Sequence, residues 1–167
     1  SAFNGGVEAG DGASSAALGY LLAKGLGVDQ NSDEAMLRFQ DARQWGSRIG
    51  RFDLAVMQET GGGEMEDLDS ARRNYTEAAI AGEARAAVNL GLMELSGTGG
   101  EPDPDAAFKW FKRAADAGNL AGLNNLGQMY ERGLGIAPDL AMAMSLYQKA
   151  ADGGYELAAE NLKRLQP

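Results

Sequence analysis

The sequence predicts an all-α fold, a solenoid of antiparallel helix pairs that repeat every 36 residues. The segment from Leu126 to Ile136 has counterparts at three successive shifts of 36 residues toward the N-terminus, with no insertion or deletion. Self-similarity at a fixed period of this size is typical of solenoids. Apolar residues recur at helical spacing in both halves of each repeat, and glycines separate the halves. Each repeat is therefore predicted to be a helix, a glycine-containing loop and a second, antiparallel helix.

The period divides the chain into a short leader, four repeats and a terminal segment. Residues 1–10 are either the tail of an upstream repeat or a linker, because Phe3 and Gly10 match the aromatic and terminal-glycine positions of the period. The four repeats are predicted at 11–46, 47–82, 83–118 and 119–154, together spanning 11–154. The segment 155–167 has an apolar stripe opposite charged residues, which predicts a C-terminal capping helix.

The first half of each repeat is predicted to be a helix that packs closely against its partner. A leucine is followed by a small residue, which lets the second helix approach. These pairs are Leu18-Gly19, Leu54-Ala55, Leu90-Gly91 and Leu126-Gly127. Glycine is expected to end this helix in the left-handed conformation, and the four predicted positions are Gly25, Gly61, Gly97 and Gly133.

The second half begins with a residue suited to cap a helix N-terminus, because its side chain can accept a hydrogen bond from a free backbone N–H. These residues are Asn31, Asp67, Asp103 and Asp139. An aromatic residue then recurs between alanines and is expected to fill the space between successive repeats; it is Phe39, Tyr75, Phe111 or Tyr147. Glycine is predicted to end this helix too, at Gly46, Gly82, Gly118 and Gly154.

Composition excludes several functional classes. The net charge of −9 makes nucleic acid and anionic membrane surfaces unfavourable partners. The chain has no cysteine and no histidine, which excludes disulfides, thiol nucleophiles, thiolate zinc sites and imidazole acid–base catalysis. No apolar run approaches the ~18 residues needed to span a bilayer, so membrane insertion is not expected. No cofactor or metal is predicted.

The third and fourth repeats carry a family resemblance. The run Ala86-Ala87-Val88-Asn89-Leu90-Gly91, the loop Gly97-Thr98-Gly99 and the segment Ala107 to Gly118 resemble the Sel-one-like repeat (SLR), which is related to the tetratricopeptide repeat. The fourth repeat matches as well, whereas Gln58 in the second repeat and Arg43 in the first depart from the pattern. The resemblance implies a right-handed superhelix with a concave groove, and an adaptor or scaffold role in a bacterial assembly.

In stacks of the tetratricopeptide type, the first helix of each pair lines the groove. The positions around the recurring leucine then give a candidate partner-binding groove. Its residues are Phe52, Val56, Arg85, Val88, Asn89, Leu92, Asn124, Asn125, Gln128 and Arg132. Asparagine and glutamine amides both donate and accept hydrogen bonds, as a bound peptide backbone requires. An apolar floor rimmed by polar groups is typical of partner-binding surfaces.

Each of these residues also has a structural interpretation. Asn89 and Asn125 would hydrogen-bond neighbouring helices and only fix the stack. Phe52 and Leu92 would be buried between helices. Arg85 and Arg132 could anchor a partner carboxylate, or remain solvated or paired with nearby acids.

Two acidic clusters, 64–69 and 101–105, suggest calcium ligands. Neither has the ligand spacing of an EF-hand loop, and acids at helix starts are favoured by capping and by the helix dipole. We therefore interpret these acids as helix-start residues. The Gly-x-Gly loops follow helices and lack a lysine–serine/threonine pair, so a phosphate-binding loop is not predicted.

The sequence therefore predicts a non-enzymatic protein–protein interaction module that binds a partner protein or peptide in the groove. An inhibitor or immunity-type protein for a secreted enzyme is the alternative, and a hydrolase that acts through surface carboxylates is the alternative of another class. No off-pattern group of acids interrupts the repeats, as a carboxylate active site would. We expect a monomer in the bacterial periplasm or secreted, with the cytoplasm as the other option.

Overall fold

The computed structural model describes residues 10–61 and 66–166, and within these ranges all regular structure is helical. The predicted leader at 1–10 lies almost wholly outside the described residues. The helices are α1 (Gly12–Lys24), α2 (Ser32–Gln44), α3 (Arg48–Thr60), α4 (Leu68–Ile80), α5 (Ala84–Ser96), α6 (Pro104–Asp116), α7 (Leu120–Arg132), α8 (Leu140–Asp152) and α9 (Glu156–Leu165). The predicted all-α class and solenoid of helical hairpins are confirmed. The right-handed curvature stays a prediction.

The chain forms two compact units, Ser1–Glu83 and Ala84–Pro167. In the first unit, hairpins α1/α2 and α3/α4 pack through α2 against α3, and the first helices α1 and α3 also contact each other. In the second unit, hairpins α5/α6 and α7/α8 pack in the same way through α6 against α7, and α5 contacts α7. Helix α9 packs on α8, and its role as a cap stays a prediction.

The predicted helix ends are confirmed. All four capping side chains accept a hydrogen bond from the backbone N–H three residues later, as in Asp103 with Ala106 N at 2.9 Å. All eight predicted turn glycines have φ between 67° and 92°, a region that a residue with a Cβ rarely enters. Asp67 and Asp103 are thus engaged at helix starts, which agrees with our interpretation of the acidic clusters; residues 64 and 65 lie outside the described ranges.

Small residues bring the helices together at two positions of the repeat. A Cβ on Gly91 would lie 2.5 Å from the Phe111 ring, and one on Gly127 would lie 2.8 Å from Tyr147. The second position was not recognised in the sequence. A Cβ on Gly122 would lie 2.6 Å from the Ala114 Cβ, so this glycine sets the approach of one hairpin to the next.

Within each unit, one recurring aromatic residue packs between a hairpin and the helix that follows it, as predicted. Phe39 lies in a buried cluster with Leu54 and Met57 of the following helix α3. Tyr147 lies in the equivalent cluster with Ala158 and Leu162 of α9. Burial of these rings and of the alanines around them stabilises the hairpin stack.

Candidate functional site

In the first unit, the candidate groove residues Phe52 and Val56 lie on α3. Both are half-buried. The Phe52 ring packs on Tyr75 at a centroid distance of 5.8 Å, with the ring planes inclined by 50°. Phe52 is therefore part of the packing inside hairpin α3/α4, which agrees with its structural interpretation.

In the second unit, the remaining candidates divide into buried and exposed positions. Val88 and Asn124 are equivalent positions of successive repeats, and both are buried. Asn89 and Asn125, one residue later, are half-buried. Leu92 is 46% exposed on α5, and Arg85 is exposed at the start of the same helix. Val88 and Asn124 were predicted to face the groove. In the structure both side chains are instead buried among the helices of this unit.

Asn124 is a structural residue. Its side chain is fully buried, with a relative exposure of 0%. Its Oδ1 accepts a 3.0 Å hydrogen bond from Asn161 Nδ2 of α9, and its Nδ2 donates to Asn125 Oδ1 at 3.4 Å. Since buried amides stabilise a fold only when they are paired, Asn124 ties α7 to α9.

The remaining groups form a surface that we call the α5/α7 face, defined by Leu92, Asn125, Gln128 and Arg132. Helices α5 and α7 contact each other, and Leu92 and Gln128 are equivalent positions of their repeats. The side chains of Gln128 and Arg132 have no hydrogen bond or ion pair with any residue that the structure describes. The face thus combines an exposed apolar side chain with the Gln128 amide and with the exposed guanidinium of Arg132, whose charge helps to lower the pKa of the neighbouring Glu131.

Next to this face, Glu131 anchors a network that sequence reasoning missed. The Tyr147 hydroxyl donates to Glu131 Oε2 at 2.7 Å, and Arg164 Nη2 lies 2.8 Å from both carboxylate oxygens. Burial alone raises the pKa of Glu131, but the hydrogen bonds from Tyr147 and Arg164 outweigh it and hold the pKa below its ordinary value of 4.5. Burial, together with the Glu131 carboxylate, raises the pKa of Tyr147 well above its usual range.

These shifts bear on the carboxylate-hydrolase alternative. A general acid needs a raised pKa, whereas Glu131 stays anionic and its oxygens are engaged by two donors. Within the described residues, no three acidic side chains converge in a geometry that could hold a metal ion. Over the same residues, no helix combines the length and the apolar character that crossing a membrane would require.

Comparison with known proteins identifies the repeats. The Sel1 repeat family model matches residues 13–37, 49–83, 84–119 and 120–155. No curated protein is matched by the chain.

Solved structures share the fold. A Sel1 repeat protein from Oxalobacter formigenes is 29% identical, with a TM-score of 0.84 over 92% of this chain and 61% of its own. A protective antigen of uropathogenic Escherichia coli strains with an SLR fold is 30% identical, with a TM-score of 0.90 over 96% of this chain and 34% of its own.

A further similarity, to the immunity protein Pa5087 of Pseudomonas aeruginosa, shows the fold alone. The identity is 20% and the TM-score 0.65, over 94% of this chain and 58% of that one. The chain thus spans less than two thirds of the length of each of these three relatives. Because the family model matches all four repeats over most of the length, the chain belongs to the Sel1 repeat family.

Proposed function

We propose that this chain is a non-enzymatic interaction module that binds an extended segment of a partner protein on the α5/α7 face. The observation that supports the proposal is the exposed Leu92 on α5 and the Gln128 and Arg132 side chains, which have no described hydrogen bond, on α7, since these two helices contact each other. Sel1 repeat proteins are generally scaffolds for protein interactions and are typically non-enzymatic, which supports the same conclusion.

The chemistry of the face suits a peptide. The Gln128 amide can donate to and accept from a peptide backbone, and the Asn125 Nδ2 can donate a further hydrogen bond to it. Leu92 offers an apolar contact that binding would remove from water. Arg132 can pair bidentately with a carboxylate of the partner. We therefore expect the bound segment to be extended and to contain both an apolar and an acidic residue.

The test replaces side chains of the α5/α7 face and keeps the helices that carry them. A partner is first captured by crosslinking in the native organism, and its affinity is then measured by calorimetry for the variant Leu92→Ala/Gln128→Ala/Arg132→Ala. We expect binding at least ~10-fold weaker, since a hydrogen bond to a charged group alone contributes ~1.5–3 kcal/mol. The thermal melt should change little, because these side chains are exposed or half-buried.

A matched control removes the same kinds of side chain elsewhere. Leu140, Gln148 and Lys149 are exposed on α8, and their replacement by alanine should leave the affinity unchanged. Unchanged binding in the α5/α7 variant would overturn the proposal. If instead the purified chain inhibits its captured partner's enzymatic activity through another surface, the inhibitor or immunity-type role is correct.

The proposal includes a location in the bacterial periplasm or outside the cell. Similarity to an SLR protein described as a protective antigen supports it. Cell fractionation of the native organism, with a cytoplasmic enzyme as the marker, tests this directly. Recovery of the protein in the cytoplasmic fraction alone would contradict it.

A further inference from the structure

Two arginines of the first unit stand at positions where the other repeats have no charged residue. Arg43 on α2 takes the position of Ala79, Ala115 and Ala151, and Arg51 on α3 takes the position of Ser15, Ala87, Leu123 and Ala159. The family pattern therefore does not require either arginine for packing. Arg43 lies on α2 and Arg51 on α3, and these two helices pack against each other.

The two arginines line a surface cavity of ≈ 530 Å³ together with Gln40, Gln44 and Glu77. The Arg51 Nε lies 3.4 Å from Glu77 Oε2, and the Arg43 Nε lies 3.9 Å from the same oxygen. Both distances exceed the ~2.7–2.9 Å of a charge-assisted hydrogen bond. Arg51 Nε is also the one buried side-chain nitrogen or oxygen in the described part of the chain that lacks a hydrogen-bond partner.

We propose that this cavity is a binding site for a carboxylate ligand. Two guanidinium groups face a single carboxylate, that of Glu77, so the cavity keeps an excess of positive charge in a chain whose net charge is −9. The planar guanidinium matches a carboxylate bidentately, and a buried donor without a partner gains a hydrogen bond when an acceptor enters. The amides of Gln40 and Gln44 can donate to the same ligand.

The volume fits a small group. Ligand sites in proteins range over ~300–1,000 Å³, and this cavity lies within that range. The carboxylate can belong to a small organic dicarboxylate or to an acidic side chain of a partner protein; the recognition chemistry is the same. All lining residues lie in the first unit, so this site is independent of the α5/α7 face.

The direct test is an NMR titration of the whole chain with succinate, with sodium chloride at equal ionic strength as the reference. We expect saturable shifts of the Nε–H signals of Arg43 and Arg51 and of the Gln40 and Gln44 amides. Inorganic phosphate is titrated in parallel. Absence of saturation beyond the chloride reference, or tighter binding of phosphate than of succinate, would overturn a carboxylate site.

Variants taken from the repeat pattern keep the fold. Arg43→Ala introduces the residue that the other three full repeats have, and Arg51→Ala introduces the residue found at Ala87 and Ala159. Both variants should therefore fold, and each should weaken succinate binding ~10-fold or more. Lys109→Ala removes one exposed positive charge in the second unit and should leave binding unchanged. Glu77→Gln removes the competing carboxylate and should strengthen binding. Equal affinity in Arg51→Ala and the unaltered chain would overturn the proposal, because the Arg51 Nε would then not bind the ligand.

A second titration distinguishes a small dicarboxylate from an acidic side chain of a partner protein. Its ligand is a peptide of glutamate residues whose termini are blocked. Binding of the peptide at least tenfold more tightly than succinate assigns the site to an acidic segment of a partner protein. Equal affinities assign it to a small dicarboxylate. If neither ligand binds, the carboxylate site is excluded. The proposal for the α5/α7 face does not depend on this result.

Discussion

The Tyr147 hydroxyl donates a 2.7 Å hydrogen bond to the Glu131 carboxylate across hairpin α7/α8. The same pair occurs in the second repeat, where the Tyr75 hydroxyl donates to Glu59 Oε2 at 2.6 Å. In the third repeat both partners are apolar: Phe111 occupies the aromatic position and Leu95 the other. A tyrosine thus occurs with a glutamate 16 residues earlier, and a phenylalanine with an apolar residue.

This relationship predicts the outcome of a double-mutant cycle. Tyr147→Phe removes one donor from Glu131, and Glu131→Leu leaves the buried Tyr147 hydroxyl without its acceptor. Each should cost ~1–3 kcal/mol of unfolding free energy, because a buried polar group without a partner loses its hydration. The double variant recreates the pair found at Phe111 and Leu95, so its loss should be smaller than the sum of the single losses.

Urea denaturation of all four proteins measures the coupling free energy. The Arg164 side chain also loses its partner in Glu131→Leu, so the cycle is repeated in an Arg164→Ala background. Additive losses in both backgrounds would show that the tyrosine and the glutamate do not depend on each other.

The depressed pKa of Glu131 predicts acid sensitivity. Its unfolded pKa is near the ordinary 4.5 and its folded pKa lies below that. The native state therefore favours the anion; this contribution is fully present above the unfolded pKa and is lost as the pH falls through the folded pKa. The unfolding free energy of Glu131→Gln should consequently fall less steeply than that of the unaltered protein between roughly pH 5 and pH 3.

The reference for this experiment is Glu160→Gln, which removes a carboxylate from an exposed position of α9. Urea midpoints are measured for the three proteins at half-unit pH steps. A Glu131→Gln curve parallel to that of the unaltered protein would contradict the network assignment.

The fold could be predicted because its signals are local. A helix N-cap such as Asp103 or a turn glycine such as Gly133 depends on one residue type at one backbone position, and the 36-residue period repeats each signal four times. The aromatic core followed from the same repetition. The recurring glycine at Gly122 was present in the sequence too, but it alternates with Ala86 and Ala158 and so was less visible.

The candidate site was less predictable because it depends on helix rotation and on partners far apart in the chain. Asn124 and Asn125 carry the same amide, and consecutive residues of an α-helix point about 100° apart; only the structure shows that Asn124 turns inward to Asn161. The departure of Arg43 from the repeat was visible in the sequence. Its convergence with Arg51 and Glu77 from three helices was not.

The two asparagines should respond differently to substitution. Asn124→Ala leaves the half-buried Asn161 without its acceptor and empties a fully buried position, and we expect a loss of ~1–3 kcal/mol. Asn125 is half-buried and makes one long hydrogen bond at 3.4 Å, so Asn125→Ala should cost less than ~0.5 kcal/mol. Urea denaturation compares them directly. Equal losses would mean that both amides stabilise the helix stack. Asn125 would then no longer count as a binding residue of the α5/α7 face.

The contact between Gly91 and Phe111 predicts that Gly91→Ala destabilises the unaltered protein but stabilises the Phe111→Ala variant. Phe111→Ala alone should cost ~3–5 kcal/mol, because the ring is almost fully buried. Gly91→Ala alone should cost ~1–3 kcal/mol, because its new Cβ would lie 2.5 Å from the ring. Once Phe111→Ala has removed the ring, the added methyl has room, and the higher helix propensity of alanine should raise stability by up to ~1 kcal/mol. Thermal melts of the four proteins measure this sign change; a Gly91→Ala loss of equal size in both backgrounds would show that the ring is not what requires glycine.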